Sequence, residues 1–423
     1  MEQRVSQQAR VASRRRENDG VDVLFLVIDI ELTLENSPVF QTQIGGQALA
    51  LREAGLRVSL LCTSGDRIRF DAAVGNRLRD AGVRVSLVRH GSLAGNLMRI
   101  AGALRKETRS TPIGRVYLRG IWGYLALCLA FPWRRPEHVY DVRGALLDES
   151  SVAGTPGWRV RLYTALEHHA IASARSVTCV SDQLADQLQR RFGRQGIEVI
   201  PSCVHVADLA VDDATRAESR RAYGFDPDDV VLVYCGGLNR YQKIPEMLAI
   251  WSRLMEEPAV RFLLITSDQP HNGGRADAIA SFGDRLVQLM LPHAEVPRTL
   301  AAADIGFMLR DKRPLNQVAS PVKFAEYLAA GLSVVTSQGV GDISSLIERE
   351  GVGVLVDPAD PASGASAVRG LVTRVREERG RLQRAALHVA RANYDWAAYR
   401  PAFHRLYGHP NSERDEETLC AAS

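Results

Sequence analysis

From Val21 to Tyr407 the chain alternates short apolar runs with longer stretches in which apolar residues recur at helical spacing. The runs are rich in Val, Ile and Leu and are continuously apolar, which is typical of strands buried on both faces of a parallel sheet. In the first half the pattern predicts seven strands: Val23–Ile28, Arg57–Cys62, Val83–Val88, Arg115–Leu118, His138–Val142, Ser176–Val180 and Glu198–Ile200. The clearest helices among them are predicted at Gly46–Ala54, Trp158–Ala174 and Asp182–Phe192.

The alternation breaks between Pro201 and about Thr215, which we interpret as a linker, and a second cycle then begins. That cycle predicts six strands: Val230–Cys235, Arg261–Thr266, Leu286–Leu291, Ile305–Leu309, Ser333–Thr336 and Val352–Val356. Its predicted helices are Pro245–Met255, Val296–Ala303, Pro321–Ala330, Ile343–Glu350, Pro361–Arg376 and Arg379–Ala392. A closing helix, Trp396–Tyr407, follows a break at Asn393–Asp395.

The fold class that this pattern predicts is α/β, with two tandem Rossmann-like doubly wound parallel-sheet domains. We place the first domain at residues 21–205, the second at 206–395 and the closing helix at 396–408, with disordered tails at 1–20 and 409–423. Ligands of open parallel sheets bind beyond the carboxyl ends of the strands, so two such sheets predict a site in a cleft between the domains. Many dehydrogenases and kinases share this outline, and the loops have to decide the function.

The charge balance and the cysteine content narrow the range of expected partners and cellular compartments. Lys+Arg number 53 against 49 for Asp+Glu, a balance that predicts no nucleic-acid partner. Five arginines nevertheless crowd the polar N-terminal tail, which is either a solvated tail or a handle for anionic lipid; they are Arg4, Arg10, Arg14, Arg15 and Arg16. The six cysteines are scattered without metal-ligand spacing, which predicts a reducing compartment and no structural metal.

The longest uncharged apolar run is Gly120–Trp133, which is shorter than the roughly 20 residues that a membrane-spanning helix needs. We therefore predict a buried helix there and a cytoplasmic protein, with peripheral contact at the inner membrane face as a further expectation.

The most informative stretch is SPVKFAEYLAAGLSVVT, which runs from Ser320. Ser320 and Pro321 suit the N-cap and first position of a helix, and Gly331 suits its end. Lys323 would lie in the first turn, where a cation opposes the helix dipole unless an anion such as a diphosphate docks there. Glu326 would share its face and could accept hydrogen bonds from sugar or ribose hydroxyls. The alternative is a capped surface helix with a Lys323–Glu326 pair.

A second loop, YCGGLNRYQK, follows the first strand of the second half. Gly236 and Gly237 allow the backbone to approach a ligand closely, and Arg240 and Lys243 lie just beyond them. Two cations at a strand end could neutralise a diphosphate leaving group. A glycine turn with two solvated cations is the alternative.

Two features of the first half are further candidates. Gly45 and Gly46 stand at the predicted start of a helix and could offer backbone N–H groups to a phosphate or sugar, although they do not form the G-x-G-x-x-G fingerprint. In YDVRG, Asp141 and Arg143 end a strand two residues apart and on one face. They are candidate catalytic groups, with a structural ion pair as the alternative.

Taken together, these motifs and their order resemble the GT-B glycosyltransferases, particularly the retaining family 4. The resemblance extends from Val21 to Tyr407 and also includes the stretches SVTCVSD and IPSCV, Gly339–Asp342 and the aromatic closing helix. It implies an N-terminal domain that takes the acceptor, a C-terminal domain that binds a nucleoside-diphosphate sugar, and a closing helix that crosses back to the first domain.

Roles follow from the resemblance by position. Lys243 would neutralise the donor diphosphate and Glu326 would hold the ribose, while Ser320–Lys323 would be the phosphate-facing helix start. Gly45–Gly46 would be the turn opposite the donor phosphates and sugar. No metal or other cofactor is implied, because such enzymes stabilise the leaving diphosphate with cations and helix dipoles.

Three positions depart from the family pattern. Val318 replaces the first of two glutamates, Gly237 replaces an arginine that Arg240 could supply, and Arg143 occupies a position that is often histidine. We expect Arg143, Asp141 and Lys243 to act in catalysis.

The function that follows is hexose-type transfer to an acceptor hydroxyl, with retention of configuration, in polysaccharide or glycolipid synthesis. The expected acceptor is a glycan, a lipid-linked glycan or a small molecule. A nucleotide-sugar epimerase and a non-catalytic sugar-nucleotide-binding subunit are the alternatives.

Overall fold

The computed structural model describes residues 20–28, 40–64, 67–144, 155–268 and 274–408. Apart from Gly20, both predicted tails lie outside these ranges. By their internal contacts the residues form two compact units: one takes the described parts of Met1–Cys179, Ala185–Ile200 and Tyr399–Ser423, and the other takes Val180–Leu184 and Pro201–Ala398.

The first unit is built on a seven-stranded parallel sheet with the strand order β3-β2-β1-β4-β5-β6-β7. The strands are β1 (Val21–Val27), β2 (Val58–Ser64), β3 (Arg84–Arg89), β4 (Ile113–Arg119), β5 (His138–Val142), β6 (Ser176–Cys179) and β7 (Glu198–Val199). Every residue of β2 and β5 is buried, as the continuous apolar runs predict for strands covered on both faces.

The helices of this part of the chain are α1 (Gly46–Glu53), α2 (Arg67–Phe70), α3 (Asn76–Asp80), α4 (Leu93–Ser110), α5 (Gly120–Ala130), α6 (Gly157–Ser173) and α7 (Asp182–Phe192). Two π-helical turns, Phe40–Gly45 and Asp71–Gly75, precede α1 and α3. The run Gly120–Trp133 forms the largely buried helix α5, as predicted. No helix of the described ranges is long and apolar enough to cross a membrane.

The second unit is built on a six-stranded parallel sheet with the order β10-β9-β8-β11-β12-β13. Its strands are β8 (Val230–Cys235), β9 (Val260–Ile265), β10 (Leu286–Leu289), β11 (Ile305–Met308), β12 (Ser333–Ser337) and β13 (Gly353–Val356). All thirteen predicted strands are present, and their ends lie within two residues of the predicted ends.

Helices cover both faces of this sheet, which has one apolar cluster on each side. They are α8 (Val206–Leu209), α9 (Asp213–Tyr223), α10 (Ile244–Arg253), α11 (Gly274–Ala280), α12 (Val296–Leu300), α13 (Pro314–Gln317), α14 (Val322–Ala329), α15 (Ile343–Glu350) and α16 (Pro361–Asn393). The predicted gap between two helices after Arg376 is a kink within α16, where Glu378 has non-helical angles (φ −131°, ψ 24°).

The predicted linker is partly wrong, because α8 lies within it and α9 begins in it. Asp212 caps α9 by accepting a hydrogen bond from the Thr215 backbone N–H at 2.8 Å, a signal that is present in the sequence. The change of unit also comes earlier than predicted, after Ile200. Val204 explains this, since its N–H donates to Tyr394 O at 2.8 Å within the second unit.

The last helix, α17 (Arg400–Tyr407), belongs to the first unit. Its Leu406 carbonyl accepts a hydrogen bond from Arg115 of β4. Arg405 pairs with Glu198 at 2.6 Å, and the His404 ring lies 3.0 Å from the Ala54 carbonyl oxygen. The chain therefore returns to the first unit after completing the second.

The close approach of two strands in the sheet of the second unit can be tested by substituting a glycine. A Cβ atom at Gly353 would overlap the backbone oxygen of Val334 on the neighbouring strand, which cannot turn away. We expect Gly353→Ala to lower the free energy of unfolding by about 3 kcal/mol. Gly370→Ala is the matched control, because Gly370 lies within α16 with open space around it, and alanine there should add roughly 0.5–1 kcal/mol. Urea unfolding measures both, and equal effects would contradict the packing argument.

Candidate functional site

Gly236 follows β8 at the carboxyl edge of the second sheet, with the left-handed angle φ 135°. A Cβ atom there would overlap Cε and Nζ of Lys323. The sequence predicted that this glycine brings the backbone close to a ligand, and the structure shows that it first makes room for a lysine. The glycine loop and helix α14 therefore meet at one point.

Lys323 is the second residue of α14 and is partly buried. Its Nζ donates a hydrogen bond to Tyr234 Oη at 3.0 Å and lies 4.3 Å from the centroid of the same ring. Burial lowers the pKa of Lys323 to about 7, and the charge of Arg310 acts in the same direction. No carboxylate forms an ion pair with Lys323 in the described part of the chain, so the Lys323–Glu326 pair of the surface-helix alternative is not formed.

Glu326 lies one turn further along α14 and is 8% exposed. Burial raises the pKa of its carboxyl group to about 7, while the charge of Lys323 acts in the opposite direction. Within the described ranges this carboxyl group has no hydrogen-bond partner. A group in this state is ready to accept hydrogen bonds from hydroxyls of a bound molecule.

Arg310 is a residue that the sequence reasoning missed. It comes two residues after the end of β11, and its guanidinium carbon lies 4.8 Å from the centroid of the Tyr241 ring. Its Nε is buried without a hydrogen-bond partner, and burial lowers its pKa. The signal that could have found it is its place just past a buried strand, where parallel sheets bind ligands.

The glycine loop itself is held by hydrogen bonds to its backbone. Tyr234 Oη donates to the Gly237 carbonyl at 2.5 Å, and the Leu238 N–H donates to Asp268 Oδ2 at 2.6 Å. Asp268 comes shortly after the end of β9. The sequence analysis did not identify it as a candidate residue. The loop conformation is thus fixed from two strand ends.

Lys243 does not join the contacts around Lys323. It has left-handed angles (φ 52°, ψ 43°) at the N-cap of α10, and its Nζ pairs with Glu246 Oε1 at 2.6 Å. Both side chains are nearly one-third exposed, so the pair can open. The backbone of Arg240 lies in a 3-10 turn just before, and its side chain is outside what the structure describes.

The start of α14 differs from the prediction by one residue. Pro321, rather than Ser320, is the N-cap residue, and no side chain caps the helix. Ser320 Oγ instead accepts a hydrogen bond from the Ser202 backbone N–H at 3.0 Å, which removes it from capping. The end of the helix is as predicted, with Gly331 in the left-handed region at φ 78°.

Val318, which stands in place of the first family glutamate, is 6% exposed. Its carbonyl accepts a hydrogen bond from Ser181 Oγ at 2.8 Å. Val318 therefore contributes to packing within the second unit and supplies no carboxylate.

In the first unit, Asp141 and Arg143 form a buried pair at the end of β5, with Nε 2.5 Å from Oδ2. Asp141 is 0% exposed and also accepts from Thr178 Oγ1 at 2.6 Å and from the Tyr117 hydroxyl. Burial alone would raise the pKa of Asp141, but the charges of Arg143 and Arg119 hold it below its usual range. The catalytic assignment of Asp141 stays a prediction; in this structure its carboxylate is enclosed by these partners and positions Arg143.

Gly45 and Gly46 do not lie at the start of a helix. They lie inside a continuous helical run, where the π-turn Phe40–Gly45 passes directly into α1, so their N–H groups are not at its beginning. A Cβ atom at Gly45 would stand 2.7 Å from Val74 Cγ2. Close packing of the two π-helical turns accounts for this glycine, and the predicted contact of Gly45 and Gly46 with a phosphate or sugar stays a prediction.

The described residues contain no group of three or more His, Cys, Asp or Glu that could hold a metal ion. The expectation of metal-independent chemistry stays a prediction.

Comparison with known proteins agrees with this architecture. Residues 41–203 match the family described as glycosyl transferase 4-like domain, and residues 229–374 match glycosyl transferases group 1. A D-inositol 3-phosphate glycosyltransferase of Thermobifida fusca (strain YX) is 30% identical over 276 residues, which are 59% of each chain. The chain thus spans less than two thirds of the length of this curated relative.

Among solved structures, sucrose-phosphate synthase from Thermosynechococcus elongatus superposes with a TM-score of 0.67 at 16% identity, covering 95% of this chain and 99% of that one. The Anabaena protein Alr3699/HepE in complex with UDP-glucose gives 0.63 at 15% identity, covering 90% and 98%. At such identities the likeness shows the fold. Two family domains matched in chain order, on two parallel sheets of this kind, place the chain among the GT-B glycosyltransferases of the group 1 kind.

Proposed function

We propose that this glycosyltransferase moves a hexose-type unit from a nucleoside-diphosphate sugar to an acceptor hydroxyl, with retention of configuration. The observation that carries the proposal is the pair of desolvated cations, Lys323 and Arg310, at the carboxyl edge of the second sheet. Burial lowers the pKa of both groups, and neither forms an ion pair with a carboxylate of the described residues. A buried positive charge without a partner is costly, and a bound diphosphate would supply the missing negative charge.

The chemistry needs that charge most as the donor bond breaks. When the bond between the anomeric carbon and the diphosphate oxygen opens, the electron pair stays with the diphosphate, whose negative charge grows. Lys323, Arg310 and the N-terminal end of α14, which no side chain caps, favour that charge in a low-dielectric site. Lys243 would join them once its pair with Glu246 opens.

The rest of the donor would be held by hydrogen bonds. The free carboxyl group of Glu326 suits the vicinal hydroxyls of a ribose, as the family resemblance implies. A similar fold in complex with UDP-glucose, Alr3699/HepE, supports a nucleotide-sugar as donor. The proposed acceptor side is the first unit, where Arg143 is held by Asp141, and the proposed products are polysaccharides or glycolipids.

The group 1 family match favours a transferase over the epimerase and over a non-catalytic subunit. Retention rests on the resemblance to family 4, and anomeric proton NMR of the first product formed would test it directly.

The first prediction concerns Lys323. We expect Lys323→Met to weaken nucleoside-diphosphate sugar binding by roughly 10- to 100-fold, because a hydrogen bond to a charged group contributes about 1.5–3 kcal/mol. The unliganded protein should melt at the same temperature or higher, since a desolvated cation is removed. Calorimetric titration with a panel of nucleotide-sugars and thermal melts measure the two effects.

Lys312→Met is the matched control, because Lys312 is 63% exposed and pairs with Asp357. Equal donor affinity in Lys323→Met and the wild type would remove the donor-site assignment.

The second prediction separates Arg310 from a packing role. If Arg310 contacts the second phosphate, Arg310→Met should weaken binding of a nucleoside diphosphate at least 10-fold more than that of the monophosphate. Tyr241→Phe, which keeps the ring beneath the guanidinium, should leave both affinities near the wild-type values. Equal losses for mono- and diphosphate in Arg310→Met would argue that the residue only packs the site.

The third prediction is a pH dependence. Since the pKa of Lys323 is lowered to about 7 by burial, the free site loses this proton as the pH rises above 7, and donor affinity should fall there. The slope of log Kd against pH should approach one between about pH 7.5 and 9. Lys323→Arg, which stays protonated over this range, should flatten the profile. A wild-type profile that is already flat would show that the charge of Lys323 does not contribute to binding.

A further inference from the structure

Lysine is rare in this chain. Only four of its 53 Lys and Arg residues are lysines: Lys106, Lys243, Lys312 and Lys323. One of them, Lys323, fills the space that Gly236 leaves by having no Cβ atom. An arginine keeps its charge at any working pH, whereas a buried lysine loses its proton readily. The groups in contact with the Lys323 ammonium group therefore decide whether it is charged.

The hydroxyl of Tyr234 has two hydrogen-bond partners at once. It accepts a hydrogen bond from Lys323 Nζ at 3.0 Å, and it donates one to the Gly237 carbonyl at 2.5 Å. Burial raises the pKa of Tyr234 well above its usual value, while the charge of Arg310 acts in the opposite direction. The hydroxyl therefore keeps its proton. Because a phenol has one proton to donate and the Gly237 carbonyl takes it, only the oxygen lone pairs remain for Lys323.

The aromatic ring of Tyr234 contacts the same ammonium group. Lys323 Nζ lies 4.3 Å from the ring centroid, within the range of a cation–π interaction. Tyr234 is 0% exposed in β8, so its ring has a fixed place in the sheet. The flexible Lys323 side chain is thus ordered before a ligand binds, which lowers the entropy cost of binding.

Helix α14 is held against the same strand end one turn later. Tyr327 lies where Gly306 has no Cβ atom, and its hydroxyl accepts a hydrogen bond from the Cys235 N–H at 2.9 Å. Lys323 and Tyr327 are four residues apart and share a helix face. The helix therefore fixes the base of the Lys323 side chain, and Tyr234 fixes its end.

The carbonyl that Tyr234 holds belongs to the glycine loop. The next residue of that loop, Leu238, donates its N–H to Asp268 Oδ2 at 2.6 Å, and the Asp268 N–H donates to Thr266 Oγ1 at 3.1 Å. A charged donor polarises a hydroxyl and strengthens the hydrogen bond that the hydroxyl itself donates. One phenol therefore joins the charge of Lys323 to the loop that the sequence predicted to approach a ligand.

Other charged and titratable groups face Lys323 from several elements of the second unit. Burial and the charge of Arg310 lower its pKa, and three groups act in the opposite direction: Cys235, Glu326 and Asp268. Among the described residues, the Tyr234 hydroxyl is the only hydrogen-bond acceptor of Lys323 Nζ. A hydrogen bond to the charged form of a group favours that form. Removing the hydroxyl should therefore favour the neutral amine.

We propose that Tyr234 is a positioning residue of this transferase, whose hydroxyl orients the Lys323 ammonium group and joins it to the glycine loop at Gly237. By accepting a hydrogen bond from the ammonium group, the hydroxyl also favours its charged state. The inference rests on the proposed donor site, in which that ammonium group meets the diphosphate. Tyr234 is fully buried and acts through Lys323.

Titration of Lys323 in the free, full-length protein tests this role. With carbon-13 at Cε of lysine, the chain gives four lysine NMR signals, and Lys323→Met identifies the signal of Lys323. In Tyr234→Phe, which keeps the ring, this signal should titrate about one pH unit lower than in the wild type, because the charged form has lost its acceptor. Tyr223→Phe is the matched control. Its hydroxyl lies 3.0 Å from Thr299 Oγ1 in the same unit, and the Lys323 midpoint should not move.

Donor affinity at two pH values separates positioning from packing. Since burial lowers the pKa of Lys323 to about 7, a further decrease leaves fewer charged molecules mainly above pH 7. Tyr234→Phe should weaken nucleotide-sugar binding about tenfold at pH 8 and about twofold at pH 6. A tyrosine that only packs the site would cost the same factor at both pH values. In the Lys323→Met background, Tyr234→Phe should change the affinity by less than about threefold at pH 8.

A Lys323 midpoint that is the same in Tyr234→Phe and the wild type, or that moves equally in Tyr223→Phe, overturns the positioning role. So does a loss of donor affinity that is equal at both pH values. If the midpoint shifts as expected but the wild type binds no nucleotide-sugar, the donor assignment fails while the link between Tyr234 and Lys323 stands.

The double variant Lys323→Met/Tyr234→Phe covers the case in which Tyr234→Phe does not fold. Replacing both partners by apolar groups leaves no ammonium group without an acceptor. A double variant that folds when the single variant does not would show that the hydroxyl is needed by the ammonium group, as proposed. A double variant that also fails to fold would show that the hydroxyl stabilises the fold independently of Lys323, and would overturn the proposal.

Discussion

The partly buried ammonium group of Lys323, which has no ion-pair carboxylate among the described residues, is the constraint on which the candidate site of the second unit depends. Lys323 reaches the end of β8 only because residue 236 has no Cβ atom, and it rests on the ring and hydroxyl of Tyr234. Arg310 adds a second desolvated cation beside it. Like charges placed together in a low dielectric destabilise the site, and an anion such as the proposed donor diphosphate would remove this cost on binding.

The parallel sheet makes this arrangement feasible. Strand ends of a parallel sheet lie along one edge, so residues distant in sequence meet there: Gly236 after β8, Asp268 after β9 and Arg310 after β11. Helix α14, which comes after α13 and directly before β12, then directs its N-terminal end toward the same edge. The position of the proposed donor site is therefore a consequence of strand order, and the side chains set its charge.

The first unit uses its own buried charges differently. Arg143 is paired with Asp141, which is further satisfied by Thr178 and the Tyr117 hydroxyl, so its charge is compensated before any ligand binds. Such a pair fixes an orientation and gains little from an incoming anion.

The sequence by itself determined the two α/β halves and all thirteen strands, because strands buried on both faces, such as β8, leave apolar runs in the sequence. It also determined the end of α14 at Gly331, because glycine readily adopts the left-handed conformation found there. It also identified Gly236, Lys323 and Glu326, since a glycine after a strand and a charged first helical turn are local signals. Tertiary structure decided what depends on neighbours far along the chain. Ser320 bonds to Ser202 instead of capping its helix, Gly45 packs against Val74 instead of opening a turn, Asp141 is enclosed by three partners, and Arg310 lies against Tyr241. A residue type states what a side chain can do, but only its partners in the folded chain decide whether it is still free to do it.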